Sequence, residues 1–135
     1  MKRNNTQRKK KRLGDKCLRL WTEILLNRAN NRCEICGQEA NQVHHYIKKS
    51  QSNILKYDLD NGIPLCVKHH FLIHYGQEAE LNAEIVKNRG FKWHNKLIIK
   101  KKIITKNSIT WYQENIERLE EERWEKQQTL KFLNE

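Results

Sequence analysis

Five of the six histidines in this 135-residue chain fall within 31 consecutive residues, as the neighbours His44-His45 and as His69-His70 with His74 one helical turn on. Cys33-x-x-Cys36 precedes them, and Cys66 stands three residues before His69. Cys33, Cys36 and the pair Cys66-x-x-His69 repeat the spacing at which zinc takes sulfur and nitrogen ligands. They predict a closed Cys3His tetrahedron holding a structural zinc, in preference to three small buried thiols. Closing the 29 residues between Cys36 and Cys66 through a metal would also compensate for a thin core, because metal-binding free energy becomes folding free energy.

The remaining histidines suffice for a second ion. Neighbours on an extended strand face opposite ways, so His44 and His45 must divide between two tasks unless the chain bends. On a helix predicted from about Val67 to Glu80, with Leu72, Tyr75 and Ala79 on its apolar face, His70 and His74 are i and i+4 and project together. His69 points about 100° away from His70 and lies i+3 from Cys66. His44, His70 and His74 would then offer three neutral donors with coordination positions left open, as a catalytic metal requires. His45 would stand beside them as a general base, an imidazole having a pKa near neutrality. Each histidine alone reads as an ordinary surface or half-buried residue; the set carries the inference.

The elements that must position these groups are short. Val43-Tyr46 and Ile63-Leu65 are the candidate strands, joined by a long polar connection of the kind that is usually functional in a small domain. Upstream, Lys2 to Arg12 holds seven basic residues and no acidic one, which predicts a disordered tail over residues 1–12. Asp15 is the expected N-cap of a helix through about Asn30, with Leu18, Trp21, Leu25 and Ala29 on a stripe that packs on the metal core. Downstream, Lys92 to Lys106 carries six lysines and no acid. Within it Leu97-Thr105 reads either as a β-rich, phosphate-facing stretch or as a solvated edge strand. From Ser108 a long helix is expected, with Ile109, Tyr112, Ile116 and Leu119 on its packing face. Its heptad breaks at Arg123 and Lys126, which favours a monomer over a coiled-coil dimer through this helix.

Composition sets the remaining bounds. A formal charge of +11 and a pI near 9.6 call for a polyanionic partner, most simply nucleic acid, since Lys and Arg displace counterions from phosphates. Four cysteines in a Lys-rich chain without an apolar signal region read as reduced thiols of the cytoplasm, with Cys17 left over from the metal set. No apolar run approaches the length of a membrane span, so no membrane association is expected.

The stretch Cys33–His74, 42 of the 135 residues, resembles the HNH endonuclease family and its ββα-metal fold. The resemblance rests on the Cys-x-x-Cys knuckle, Val43-His44-His45, the run Asp58-Leu59-Asp60-Asn61-Gly62-Ile63-Pro64-Leu65-Cys66, and His69-His70 followed by His74. It implies that His44, His70 and His74 bind the catalytic metal, that His45 is the general base, and that Asn61 fixes the strand bearing the base. His69 stands where zinc-containing members usually have Cys, and His74 where the second helical ligand is Asn or His. The chain is thus expected to be an α+β protein. A small zinc-stabilised ββα-metal core would sit in a nuclease domain at 13–106 (motif at 33–74), between the basic tail and a C-terminal helix at 107–135. The implied activity is metal-dependent hydrolysis of DNA phosphodiesters with Mg2+, Mn2+, Ni2+ or Zn2+ as the catalytic ion, leaving 5′-phosphate and 3′-hydroxyl ends. Arg32, Lys48 and Lys49 are the nearest candidates for phosphate contact. The alternatives are a zinc-stabilised nucleic-acid-binding module without catalysis, for which the spare histidines have no use, and an adaptor whose acidic C-terminal helix binds a protein.

Overall fold

Two short strands and the helix after them gather the candidate ligands. In the computed structural model, which describes residues 2 and 4–134, β1 (Gln42–His45) pairs antiparallel with β2 (Gly62–Leu65). His44 lies opposite Ile63, and His45 opposite Gly62. Pro64 has no N–H for the ladder, which a sheet of two edge strands tolerates; its carbonyl accepts from the Glu34 amide at 3.0 Å. α2 (Val67–His74) follows directly, capped by Cys66, whose Sγ accepts from the His69 amide. The chain is α+β as expected, with five α-helices and this one sheet among the described residues.

The helix of the second ligand set is shorter than its expected span of Val67–Glu80. Gly76, at φ +109°, turns the chain after Tyr75, a backbone geometry that glycine adopts without a Cβ penalty. α3 (Glu78–Arg89) begins beyond it. The expected apolar face changes accordingly: Tyr75 and Ala79 are exposed, and Ile73, Leu81 and Ile85 enter the core. Those three pack with Cys33, Ala40, Ile63, Leu65 and Cys66 in one cluster, each fully buried aliphatic side chain contributing about 1.5–3 kcal/mol.

α4 (Phe91–Lys101) occupies much of the expected strand-rich stretch Leu97–Thr105. Tertiary contacts override the β-branched composition here. Leu97 is buried against Ile47 and Leu55, Trp93 Nε1 donates to the Asp60 carbonyl at 2.9 Å, Lys96 pairs with Asp60 at 3.2 Å, and Lys100 pairs with Asp58. The spacings 93/97 and 96/100 are helical ones. Lys96 and Lys100 thus pair with carboxylates of this chain, from a helix where a strand was expected.

The chain divides into two compact units, one of residues 25–105 and one that joins the segment up to Ile24 with that from Lys106. The candidate metal-ligand residues all belong to the first. Residues 13–24 of the expected 13–106 segment group with the C-terminal helix. α1 (Asn5–Arg28), which lies in the second unit up to Ile24, is helical through most of the expected disordered tail. Asn4 and Gln7 explain this: Asn4 Oδ1 accepts from the Gln7 amide at 2.9 Å, and Gln7 Oε1 from the Asn4 amide at 3.1 Å, a reciprocal cap that starts the helix early. Asp15, the expected N-cap, lies mid-helix and pairs with Lys11 at 2.9 Å. Met1 and Arg3 lie outside the described residues. Cys17, Leu20, Trp21 and Ile24 are buried on α1. α5 (Ile109–Leu133) begins at the cap Ser108, as the sequence indicates, and buries Tyr112, Ile116 and Leu119. Cys17 donates to the Tyr112 carbonyl at 3.6 Å, and Lys16–Glu120 (3.1 Å) and Arg123–Glu23 (3.3 Å) also join the two helices. Burial pushes the Cys17 thiol up to about 11, so the leftover cysteine is an inert core group. Among the described residues no helix is long and apolar enough to cross a membrane.

Candidate functional site

The knuckle at Cys33–Gly37 is set by local bonds. α1 ends on Asn30 and Asn31, both at positive φ, with the Asn31 amide reaching back to the Leu26 carbonyl at 2.9 Å, the long bond of a Schellman C-cap. The Cys33 amide then bonds the Gln38 carbonyl at 2.7 Å and the Gly37 amide the Cys33 carbonyl at 2.9 Å, with Gly37 at φ +73°. This turn aims both thiols of Cys-x-x-Cys at Cys66 and His69, which come from the first turn of α2.

The ligand atoms of Cys33, Cys36, Cys66 and His69 all lie within 4.8 Å of one another. The Cys36–Cys66 sulfurs are 3.8 Å apart, and His69 Nδ1 is 3.3 Å from Cys66 Sγ and 3.7 Å from Cys33 Sγ. Zinc bonds of about 2.3 Å to sulfur and about 2.05 Å to nitrogen at tetrahedral angles give edges of about 3.8 Å and about 3.6 Å. The group thus has the dimensions and donors of a structural zinc site. No cysteine is in a disulfide. Arg32, a candidate for phosphate contact, is exposed and donates Nη1 to the Gly37 carbonyl at 3.3 Å.

The opposite face of α2 meets β1. His44, His70 and His74 form a second group whose ligand nitrogens lie within 4.8 Å, and His70 Nε2 is 3.2 Å from His74 Nε2. Two nitrogens sharing an ion at about 2.05 Å would be about 2.9–3.4 Å apart for angles between octahedral and tetrahedral. His44 is buried, His70 half-buried and His74 exposed, so the group is walled by β1 and open beyond α2. Burial, joined by the neighbouring His74 and His70 rings, pulls His44 down to about 4. It is therefore a neutral donor at physiological pH, the form a metal needs.

His45, on the other side of β1, is also buried. Its Nε2 is 2.8 Å from the Lys56 carbonyl oxygen. A carbonyl only accepts, so Nε2 carries the proton and Nδ1 carries the lone pair. Burial pulls His45 down to about 4, against the opposing effect of that hydrogen bond, with Lys49 and Lys56 adding repulsion. His45 is thus a neutral imidazole at physiological pH, with Nδ1 unprotonated.

Asn61 is fully buried and holds the frame around His45. Its Oδ1 accepts from the Ile47 amide at 2.7 Å, and its Nδ2 donates to the carbonyls of Ile47 at 3.0 Å and Leu55 at 3.1 Å. Its own carbonyl accepts from the Tyr46 amide at 3.0 Å. One amide side chain therefore ties the residues just after His45 to the loop that presents the Lys56 carbonyl.

Of the other expected phosphate contacts, Lys48 pairs with Glu78 at 3.3 Å and Lys49 is exposed. Two supports are invisible in the sequence because their partners are far apart along the chain. Arg89 Nε bonds both carboxylate oxygens of Glu34, at 2.8 and 3.1 Å, and Arg89 also donates to the Gly62 carbonyl at 3.0 Å, tying the knuckle to β2. Tyr46 Oη lies 2.6 Å from His94 Nδ1, with Trp93 packed on the Tyr46 ring. The sixth histidine is thus a buttress of the segment after His45. No family model, curated protein or solved structure matches the chain.

Proposed function

We propose that the chain is a metal-dependent endonuclease of the HNH type, hydrolysing DNA phosphodiesters. The observation that carries the reading is the separation of roles on β1. His44 joins His70 and His74 in a group of three nitrogens, while His45 faces away from it with Nε2 tied to the Lys56 carbonyl. A purely structural metal site gains nothing from a second buried histidine held in a single tautomer.

His44, His70 and His74 would hold the divalent ion, which when bound supplies neutralising charge to the scissile phosphate and the departing 3′-oxygen. His45 takes the proton of the attacking water on Nδ1. The Lys56 carbonyl stabilises the imidazolium that forms, because it accepts the opposite N–H. Asn61 keeps the loop and the base in register. The Cys3His group supplies stability to a unit whose sheet is only two strands wide.

The test is incubation of supercoiled plasmid with purified protein and added Mg2+, Mn2+ or Ni2+, with a chelator control. His45→Ala should keep zinc and DNA affinity and lose cleavage by roughly two to four powers of ten, the usual worth of a positioned general base. Excess divalent metal should partly rescue His44→Ala but not His45→Ala. Absence of cleavage by the wild type on duplex, branched and single-stranded DNA would leave a zinc-stabilised binding module as the better reading.

A further inference from the structure

α1 presents a formed basic face that the site does not use. The helix carries eight basic and two acidic side chains. Cys17, Leu20, Trp21 and Ile24 mark its buried side. At 100° per residue, Arg8, Lys11, Arg12, Asp15 and Arg19 fall on the opposite side. These five line one shallow surface groove, and all are exposed. Among the described residues, Lys11 is engaged by Asp15 and Lys16 by Glu120, whereas Arg8, Arg12 and Arg19 bind no carboxylate. Three arginines therefore remain for an anionic partner.

We propose that this face of α1 is a second nucleic-acid contact, a pre-folded anchor that grips the phosphate backbone of duplex DNA through Arg8, Arg12 and Arg19. The three cations extend over about 16 Å of helix at 1.5 Å per residue. That is about five base-pair steps of one strand, so each guanidinium can meet a different phosphate. Arginine's planar fork suits such contacts. Charge complementarity calls for a polyanion, and the burial of the helix's apolar side favours DNA over an anionic membrane surface. A helix lying on lipid must bury an apolar side, and the apolar side of α1 is already covered within its own unit. Because the helix is capped at Asn4 and formed before binding, no ordering cost is levied on association, unlike a disordered basic tail. The contacts read no bases, so they raise affinity for all sequences alike.

The proposal is separate from the nuclease reading, because binding is measured with no divalent metal added and needs no cleavage. Anisotropy of a labelled duplex is titrated with the full chain over a salt series. Arg8→Gln/Arg12→Gln/Arg19→Gln should bind at least about tenfold more weakly at low salt and lower the slope of log K against log salt by roughly 2.7, at 0.9 per phosphate contact. Glutamine is a good helix former, so helicity by circular dichroism and zinc content should match the wild type. The corresponding triple lysine variant should keep most of the slope. Should the triple variant fail to fold, Arg12→Gln alone should lower the slope by roughly 0.9. A salt slope unchanged by removing the arginines would overturn the proposal. So would wild-type binding to phosphatidylserine vesicles that the glutamine variant loses while its DNA affinity stays intact.

Discussion

The two candidate ligand clusters on α2 differ in donor chemistry and in exposure. The Cys3His group brings four donors, two of its thiols buried, to the dimensions of a filled tetrahedron, and it joins the knuckle to the start of α2. The three-histidine group brings donors of one kind, shares a strand with His45, and ends on an exposed ring. A closed set of ligands stabilises a fold; a set short of one or more donors leaves room for another oxygen ligand. A single eight-residue helix serves both because i+3 from Cys66 and i+4 from His70 fall on different faces.

That contrast is broken most severely at the closed site. Cys36→Ser should abolish stoichiometric zinc and cooperative unfolding together, since structural zinc contributes on the order of 10–16 kcal/mol in small domains. His70→Ala should leave one zinc per chain and a cooperative transition. Elemental analysis beside thermal unfolding decides both, and a folded, zinc-free Cys36→Ser protein would show that the thiols are packing groups only.

A smaller effect is expected between the clusters. Asn61→Ala removes three buried hydrogen bonds and leaves the Ile47 amide and the Ile47 and Leu55 carbonyls without their partner. A loss of about 2–4 kcal/mol by urea denaturation follows, each orphaned group costing about 1–3 kcal/mol with partial relaxation. Zinc content should be unaffected. Stability within about 0.5 kcal/mol of the wild type would mean that water replaces the amide and that the loop does not depend on it.

The mildest change is His69→Cys. A thiolate at the first turn of α2 keeps four donors and gains from the helix dipole, so zinc should be retained and the unfolding midpoint little changed. Loss of zinc in this variant would show that the site depends on the reach of an imidazole.

The candidate donors were legible in part as spacings, because Cys-x-x-Cys, Cys-x-x-His and His-x-x-x-His each place donors on one turn or one helix face whatever surrounds them, whereas His44 meets His70 and His74 only in the fold. The strand positions of His44 and His45 followed from the turn residues and short apolar runs on either side. The tail and α4 were misread for a common reason. Composition spoke for disorder in one and for a strand in the other, while the reciprocal Asn4–Gln7 cap and the Asp58, Asp60 and Leu97 contacts decided for helix.

By itself the sequence determined which side chains are able to hold metal and that an excess of cations seeks an anion, since ligand chemistry and charge belong to residue types. Tertiary structure decided which cations remain available, that Arg89 braces the knuckle and His94 the segment after His45, and which nitrogen of His45 carries the proton. Those properties depend on partners dozens of residues away, which no local spacing encodes, and on burial, which fixes whether an ionisable group meets water or a carbonyl.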